Sequence, residues 1–597
     1  MQTKNRLFIG LTLAAFAGVL LAETPIPVEQ TLRTHTDLLS AGLGLDGLRS
    51  PTAPPLPNPV TAEALRARAL WTNWRGIADL SPGGGYGALY GRMAPVPGRE
   101  YSALLRLKGA KQLHRVMVQV PDDFDISKRC LLVSASSGSR GIYGAIALAG
   151  AWGLNHGCAV AYTDKGAGTD FLVPGAVQQG VSVNGLPAAA GQPREFSQPP
   201  GFASVAVKHA HSGDHPEADW GRYVQQAAAY GLSVLNGRFP AAGKFTQANT
   251  HTVAVGVSNG GGAVLRAAEL PGGWLDGVVA VSPNIYSPGS RPLYDYSTEA
   301  ALFMPCAMNA AAFDAVAYAR PGGLKPPSGA LRCASLAASG LLTSGDGQAL
   351  AEQAWHKLQA SGWSQQALIA GSVSTAFDLW RAVAVTYASS YLRAGPDTMP
   401  CGYRFDVLDA AGKPRALPAN EQVSWWSDGS GIPPSNGVGI VDAKAVGKDP
   451  AYAGLRCLRA LWQDQTAEAK ALQRSVRKTQ AGLPQAGVPV LVIHGLSDGL
   501  VPAAYTSAPY AKFAMAKRNS MRYWQVENAQ HFDAFLGQPV LAAQYVPMMP
   551  YAYKGLDAMW AHIAQGVPLP TDRVFKTVPR KVSVTGIEPL SAANLDF

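Results

Sequence analysis

The stretch that most constrains this chain is residues 250–270, where THTVAVGVS runs without a break into NGGGAVLRAAEL. The first part is rich in small and β-branched apolar residues and reads as a strand. The second is a run of small residues at helical spacing. At the joint stands Gly256-Val257-Ser258-Asn259-Gly260. A bare G-x-S-x-G arises readily by chance in a chain with 64 glycines. Between a strand and a helix it describes something specific: a turn too sharp for side chains at its glycines, which lifts the serine oxygen above the edge of a sheet. Ser258 is therefore the candidate nucleophile.

The flanking sequence repeats the strand–helix rhythm. HRVMVQVP (114–121) alternates like a half-buried strand, and CLLVSAS (130–136) is a continuous apolar run. IYGAIALAGAWGLNHG (142–157) reads as a helix, CAVAYTD (158–164) as a strand, and residues 215–239 as a helix with Pro216-Glu217 in its first turn. WLDGVVAVSPN (274–284), VPVLVIHG (488–495) and MRYWQVEN (521–528) are further strands. Strands alternating with helices indicate an α/β fold with a mostly parallel sheet. Between 285 and 487 the signals are mainly helical, as in 347–362, 374–395 and 451–482. The chain thus divides into an apolar leader (1–22), a Pro-rich extended arm and entry to the core (23–111), and a first part of the catalytic core (112–284). A helical cap or lid (285–487) and a second part of the core (488–597) follow.

Composition narrows the partners. Apolar residues at 47% and charged residues at 15% exclude a disordered chain. The formal charge of +10 is scattered. Its densest run, Lys470, Arg474, Arg477 and Lys478, reads as a solvated helix face, and without a basic stripe carrying aromatics no nucleic-acid partner is expected. MQTKNR followed by the apolar LFIGLTLAAFAGVLLA (7–22) has the layout of a secretory signal peptide. Export to the periplasm or beyond the cell is expected, with no membrane attachment after cleavage. The six cysteines contain no C-x-x-C and permit up to three disulfides, whose pairing among 15 possibilities the sequence leaves open. Oligomeric state is not encoded in any pattern found.

A serine nucleophile needs a base and an orienting acid, which in a strand–elbow–helix fold follow in the order Ser, Asp/Glu, His. Asp498, in GLSDGLVP, stands just past the strand 488–495. His531, in AQHFD, stands just past the strand 521–528. His494 and His562 read as structural. Two backbone donors for the oxyanion are expected. One is the amide of Asn259; the other comes from SSGSRG (136–141), at Ser139 or Gly138. Arg140 and Asp164 are candidate substrate-lining residues. His209, His211 and His215 have the spacing of a metal cluster but no acidic partner set, so no metal and no organic cofactor is expected.

VGVSNGGG, SASSGSRGIYG, YTDKGAGTD, KHAHSGDHPEADWG and the pair VLVIHGLSDGLVP and AQHFDAF together resemble the secreted D-(−)-3-hydroxybutyrate oligomer hydrolases of bacterial polyhydroxybutyrate breakdown. The resemblance implies an α/β-hydrolase fold with its nucleophile at Ser258, and a serine esterase that cleaves short soluble (R)-3-hydroxybutyrate oligomers. The alternative is a tannase- or feruloyl-esterase-like enzyme acting on other esters. Those enzymes usually carry cysteines beside the nucleophile and the histidine, where this chain has Val257 and Phe532. The 66 residues after His531 read as core and a terminal strand, not as a linker and polymer-binding module, which favours a soluble substrate.

Overall fold

The computed structural model describes residues 25–175, 180–343, 345–427, 430–435, 437–517, 520–584 and 586–597. The leader at 1–22 lies outside them. Ten strands form the central sheet: β1 (Glu29–Asp37), β2 (Pro97–Leu105), β3 (His114–Pro121), β4 (Cys130–Ala135), β5 (Ala159–Thr163), β6 (His251–Val257), β7 (Gly277–Val281), β8 (Val490–Gly495), β9 (Met521–Val526) and β10 (Arg573–Phe575). Their spatial order is β1-β2-β3-β5-β4-β6-β7-β8-β9-β10. From β5 to β10 every pairing is parallel, whereas β1, β2 and β3 form an antiparallel extension. This is an α/β-hydrolase sheet. The middle strands β4, β5, β7 and β8 are buried along their whole length, as expected where helices cover both faces of parallel strands.

Twelve helices matter here: α1 (Ala62–Arg75), α2 (Pro216–Arg238), α3 (Asn259–Ala267), α4 (Leu293–Ala307), α5 (Pro327–Ala338), α6 (Gly347–Ala360), α7 (Gln365–Ala376), α8 (Leu379–Leu392), α9 (Tyr452–Gln463), α10 (Ala467–Arg477), α11 (Ser507–Ala516) and α12 (Met549–Gln565). One apolar cluster joins α1 and α12 to the sheet through Leu70, Trp74, Val255, Val279, Ile493 and Met559. The opposite face packs α2, α3 and α11 through Val133, Val224, Val264, Val490 and Tyr510. The segment 142–157 is helical only in pieces, a π-turn over Ile146–Gly150 followed by short α and 3-10 turns, and closes at left-handed Gly157.

The cap has its own core, in which Tyr294, Met304, Trp355, Val385, Leu458 and Val476 meet. It also holds a two-stranded ribbon, Tyr403–Val407 against Val438–Asp442, amid the helices. Its periodic stretches split where local chemistry demands. The segment 374–395 breaks at left-handed Asp378, and 451–482 breaks before Thr466, whose side chain caps α10. Among the described residues no single helix is long and apolar enough to cross a membrane.

The arm differs from expectation. It supplies β1, β2 and the buried helix α1 rather than a loose extension. A buried ion pair ties it down: Arg66 Nε donates to both Glu100 oxygens at 3.1 Å, and the Tyr143 hydroxyl donates to Glu100 at 2.7 Å. Burial pushes the Glu100 carboxyl up, but the Arg66 and Arg33 guanidiniums outweigh it and leave it below the usual range. Leu65, Leu70 and Trp74 are fully enclosed. The six cysteines pair as Cys130–Cys158, Cys306–Cys333 and Cys401–Cys457. The first ties the start of β4 to the residue before β5, and the second ties α4 to α5.

Candidate active site

At the end of β6 the chain turns through Ser258 at φ 61°, ψ −123° and enters α3 at Asn259. A non-glycine residue in that conformation stores about 1–3 kcal/mol of strain. The surroundings impose it. The Ser258 amide donates to Val281 O at 2.9 Å, and its carbonyl accepts from Gly262 and Asn284, each at 3.0 Å. The two motif glycines are needed for space: a Cβ at Gly256 would overlap the Gly260 carbonyl, and a Cβ at Gly260 would overlap the carbonyl of Ala135 on the neighbouring strand.

The loops after β8 and β9 meet beside this turn, joined by the Ser497 amide donating to Ala529 O at 3.0 Å. His531 Nδ1 lies 2.7 Å from Asp498 Oδ2, and its Nε2 lies 3.1 Å from Ser258 Oγ. The other carboxylate oxygen of Asp498 accepts from the amides of Leu500 at 2.9 Å and Val501 at 2.7 Å. Asp498 is wholly buried. Burial would raise its carboxyl, but the His531 and His494 imidazoles outweigh that and hold it well below the usual carboxylate range. A carboxylate only accepts, so Nδ1 of His531 carries the proton and Nε2 presents its lone pair to the serine hydroxyl. His494 is fully enclosed. Its Nε2 donates to Val501 O at 2.8 Å and lies 3.3 Å from Asp498. His562 is on α12, with Nδ1 on Val567 O.

The third wall is the loop 136–141 after β4. Lys165, just past β5, reaches under it. Its Nζ donates to Ser136 O at 2.6 Å, Ser136 Oγ at 2.8 Å and Gly138 O at 2.6 Å. Burial pulls this ammonium down to about 7. In a trans peptide the carbonyl and the following N–H point in opposite directions. With the Gly138 carbonyl turned onto Lys165, the Ser139 amide points away from it. The Ser139 hydroxyl lies 2.6 Å from His209 Nδ1, and His209 Nε2 meets the buried carboxylate of Glu217 at 2.5 Å. On the other flank, Asn259 Nδ2 donates to the Tyr387 hydroxyl at 2.7 Å, and Asn259 Oδ1 accepts from Asn284 at 2.8 Å.

These parts enclose a cavity of about 160 Å³. Gly138, Ser139, Ser258, Asn259 and His531 line it from the core, and Leu379, Val383 and Tyr387 of α8 with Ile432 close it from the cap. Arg140 is in the lining. Asp164 is not: it lies beneath, fully buried, with its carboxylate on Lys208 Nζ at 3.0 Å and the Gly166 amide at 2.9 Å. The expectation that Asp164 faces substrate is corrected on that ground. The histidine group does not converge on one point either. His209 and His215 share Glu217, while His211 Nδ1 accepts from the Val207 amide at 3.0 Å. Among the described residues no group of three or more His, Cys, Asp or Glu side chains is placed to hold a metal ion.

Sequence reasoning missed Lys165, Glu217 and Tyr387. The first two lie inside segments it had singled out, but no local pattern distinguishes a buried lysine or glutamate from a solvated one. None of the three disulfides reaches Val257 or Phe532.

A model of the 3HB-oligomer hydrolase family matches residues 24–596. The D-(-)-3-hydroxybutyrate oligomer hydrolase of Paracidovorax citrulli is 36% identical over 640 residues, covering 94% of this chain and 89% of that protein. The protein of the same name from Paraburkholderia xenovorans is 34% identical, covering 94% and 87%. Among solved structures, feruloyl esterase B from Aspergillus oryzae is similar at 11% identity and TM-score 0.42, covering 98% of this chain and 93% of its own. The tannin acyl hydrolase from Aspergillus niger is similar at 13% identity and TM-score 0.38, covering 81% of each chain.

Proposed function

The chain belongs to the 3HB-oligomer hydrolase family, and we propose that it hydrolyses soluble (R)-3-hydroxybutyrate oligomers to monomers by acyl transfer through Ser258. The observation that carries the mechanism is the unbroken hydrogen-bonded series from Asp498 through His531 to Ser258 at the floor of a capped cavity.

Ser258 Oγ attacks the ester carbonyl as His531 Nε2 takes its proton, and Asp498 stabilises the imidazolium that forms. The oxyanion is received by the amides of Asn259 and Ser139. The first heads α3, and the second is aimed by the bond of Lys165 to the preceding carbonyl. His531 returns its proton to the leaving alcohol oxygen. Water, activated by the same imidazole, then releases the 3-hydroxybutyryl group from the serine. The cavity of about 160 Å³ is small beside the roughly 300–1,000 Å³ that receives drug-sized ligands, which suits a short aliphatic acyl unit.

Export fits the same reading. Disulfides persist in oxidising compartments, and all six cysteines are paired, which supports a periplasmic or extracellular enzyme whose leader is removed. The test is product analysis on the (R)-3-hydroxybutyrate dimer and trimer, polymer film and a feruloyl ester. Monomer release from the oligomers in clear preference to the other two is expected. Preference for the feruloyl ester would overturn the substrate assignment.

A further inference from the structure

Arg140 lines the same cavity as Ser258 and His531. Among the described residues its guanidinium meets only neutral oxygens, both at long range: Asn73 Oδ1 at 3.4 Å and Gly76 O at 3.3 Å. The fully buried arginines Arg66, Arg115 and Arg580 have carboxylates, Glu100, Glu195 and Asp79; Arg140 is half-buried against the cavity and, among the described residues, has none. Asp533, an acid in the same lining, is not its counter-ion. Both Asp533 oxygens accept from the Met548 amide, and one also accepts from the Met549 amide. Burial pulls the Arg140 guanidinium down to about 10, and among the described residues no neighbouring charge opposes that shift. What compensation there is comes from the carboxyl end of α1, a partial negative charge. Gly76, the residue that closes α1, gives the guanidinium its space, since a Cβ there would overlap Cζ and both terminal nitrogens.

A half-buried cation facing a cavity without a counter-charge can take an anion there, and a planar fork of donors matches a carboxylate. The substrate of the proposed reaction carries one: an ester-linked 3-hydroxybutyrate chain ends in a hydroxyl at one terminus and a free carboxylate at the other. We infer that Arg140 is a carboxylate-binding, specificity-determining residue that seats the carboxyl-terminal unit of the oligomer, so that hydrolysis proceeds from that end. This rests on the ester-hydrolase reading above. The bond cut is the ester whose alcohol oxygen belongs to the carboxyl-terminal unit. That oxygen takes the proton from His531 and departs as free monomer, and the rest of the chain stays on Ser258 until water releases it. Interior esters of a long polymer present no carboxylate to Arg140, so on this reading short chains are the better substrates.

The experiment compares kcat/KM on the free-acid dimer and its methyl ester for the wild type, Arg140→Met and Gly76→Ala. It also follows which fragment leaves first from a trimer isotopically labelled in its carboxyl-terminal unit. The wild type is expected to favour the acid on the order of 10- to 100-fold, as for a charged hydrogen bond, and to release labelled monomer first. Arg140→Met should erase that preference chiefly through KM for the acid. Gly76→Ala, which displaces the guanidinium without removing it, should erode it in the same direction. Equal use of acid and methyl ester by the wild type, a preference surviving in Arg140→Met, or unlabelled monomer released first would each overturn the assignment. If the wild type cleaves neither dimer, the proposed function falls and the assignment with it.

Discussion

Lys165 and Gly138 are joined by a 2.6 Å hydrogen bond from the ammonium to the carbonyl oxygen, and that bond sets the direction of the next amide, Ser139. In the proposed mechanism, the aim of an oxyanion donor therefore rests on a buried side chain from a neighbouring strand end. Removing one whole donor costs such enzymes about 10²–10³ in kcat. Lys165→Met should lower kcat by up to that range while leaving KM nearly unchanged. A variant that merely loosened the fold would move both, so steady-state kinetics on the dimer separates the two.

The same lysine makes a prediction about stability and pH. Burial pulls its folded-state value down to about 7, against an ordinary value of about 10.4 in the unfolded chain. Between those values the unfolded chain binds more protons, so stability rises with pH across that window. The wild type should gain stability relative to Lys165→Met, which does not titrate, as pH rises from about 7 towards about 10. Urea unfolding of both proteins across that range checks the sign.

Asp498 behaves in the opposite sense. Its carboxyl lies below the usual range in the folded protein, with the His531 and His494 rings outweighing burial. The stability it contributes is present above about pH 4, the ordinary carboxylate value, and is lost as pH falls towards the depressed one. The stability gap between the wild type and Asp498→Asn should be widest near neutrality and close in acid. The same substitution should cut kcat by roughly 10⁴-fold, because His531 loses the partner that fixes its tautomer.

The disulfides should matter unequally. Cys130–Cys158 closes a span of 28 residues inside the sheet, and Cys306–Cys333 closes 27 within the cap. In the chain-entropy view each contributes about 3–4 kcal/mol. Paired replacement by alanine at 130 and 158 should lower the Tm of the whole molecule. Replacement at 306 and 333 should bring on cap opening, seen as faster amide exchange over α4 and α5, before the sheet melts.

How far the sequence revealed this site depends on the range of each interaction. The turn at Ser258 is dictated locally by a strand, two space-giving glycines and a helix, so it can be read from a dozen residues. Asp498 and His531 are legible because they stand at strand ends in a fixed order. Lys165 escaped notice because its partners, Ser136 and Gly138, lie 29 and 27 residues away, and no periodicity marks that approach. Asp164 departs from expectation for a related reason: it does stand at a strand end, but Lys208, 44 residues on, turns the carboxylate into the interior. The arm concealed β1 and α1 because an edge strand such as EQTLRTHTD is half exposed and carries no continuous apolar run.

The most direct test of the central claim is Ser258→Ala, assayed for 3-hydroxybutyrate release from the dimer alongside labelling of the wild type by a fluorophosphonate. We predict that release falls by at least about 10⁴-fold with the fold intact, and that the wild type carries the label on Ser258. Release persisting in Ser258→Ala, or a labelled residue other than Ser258, would contradict it.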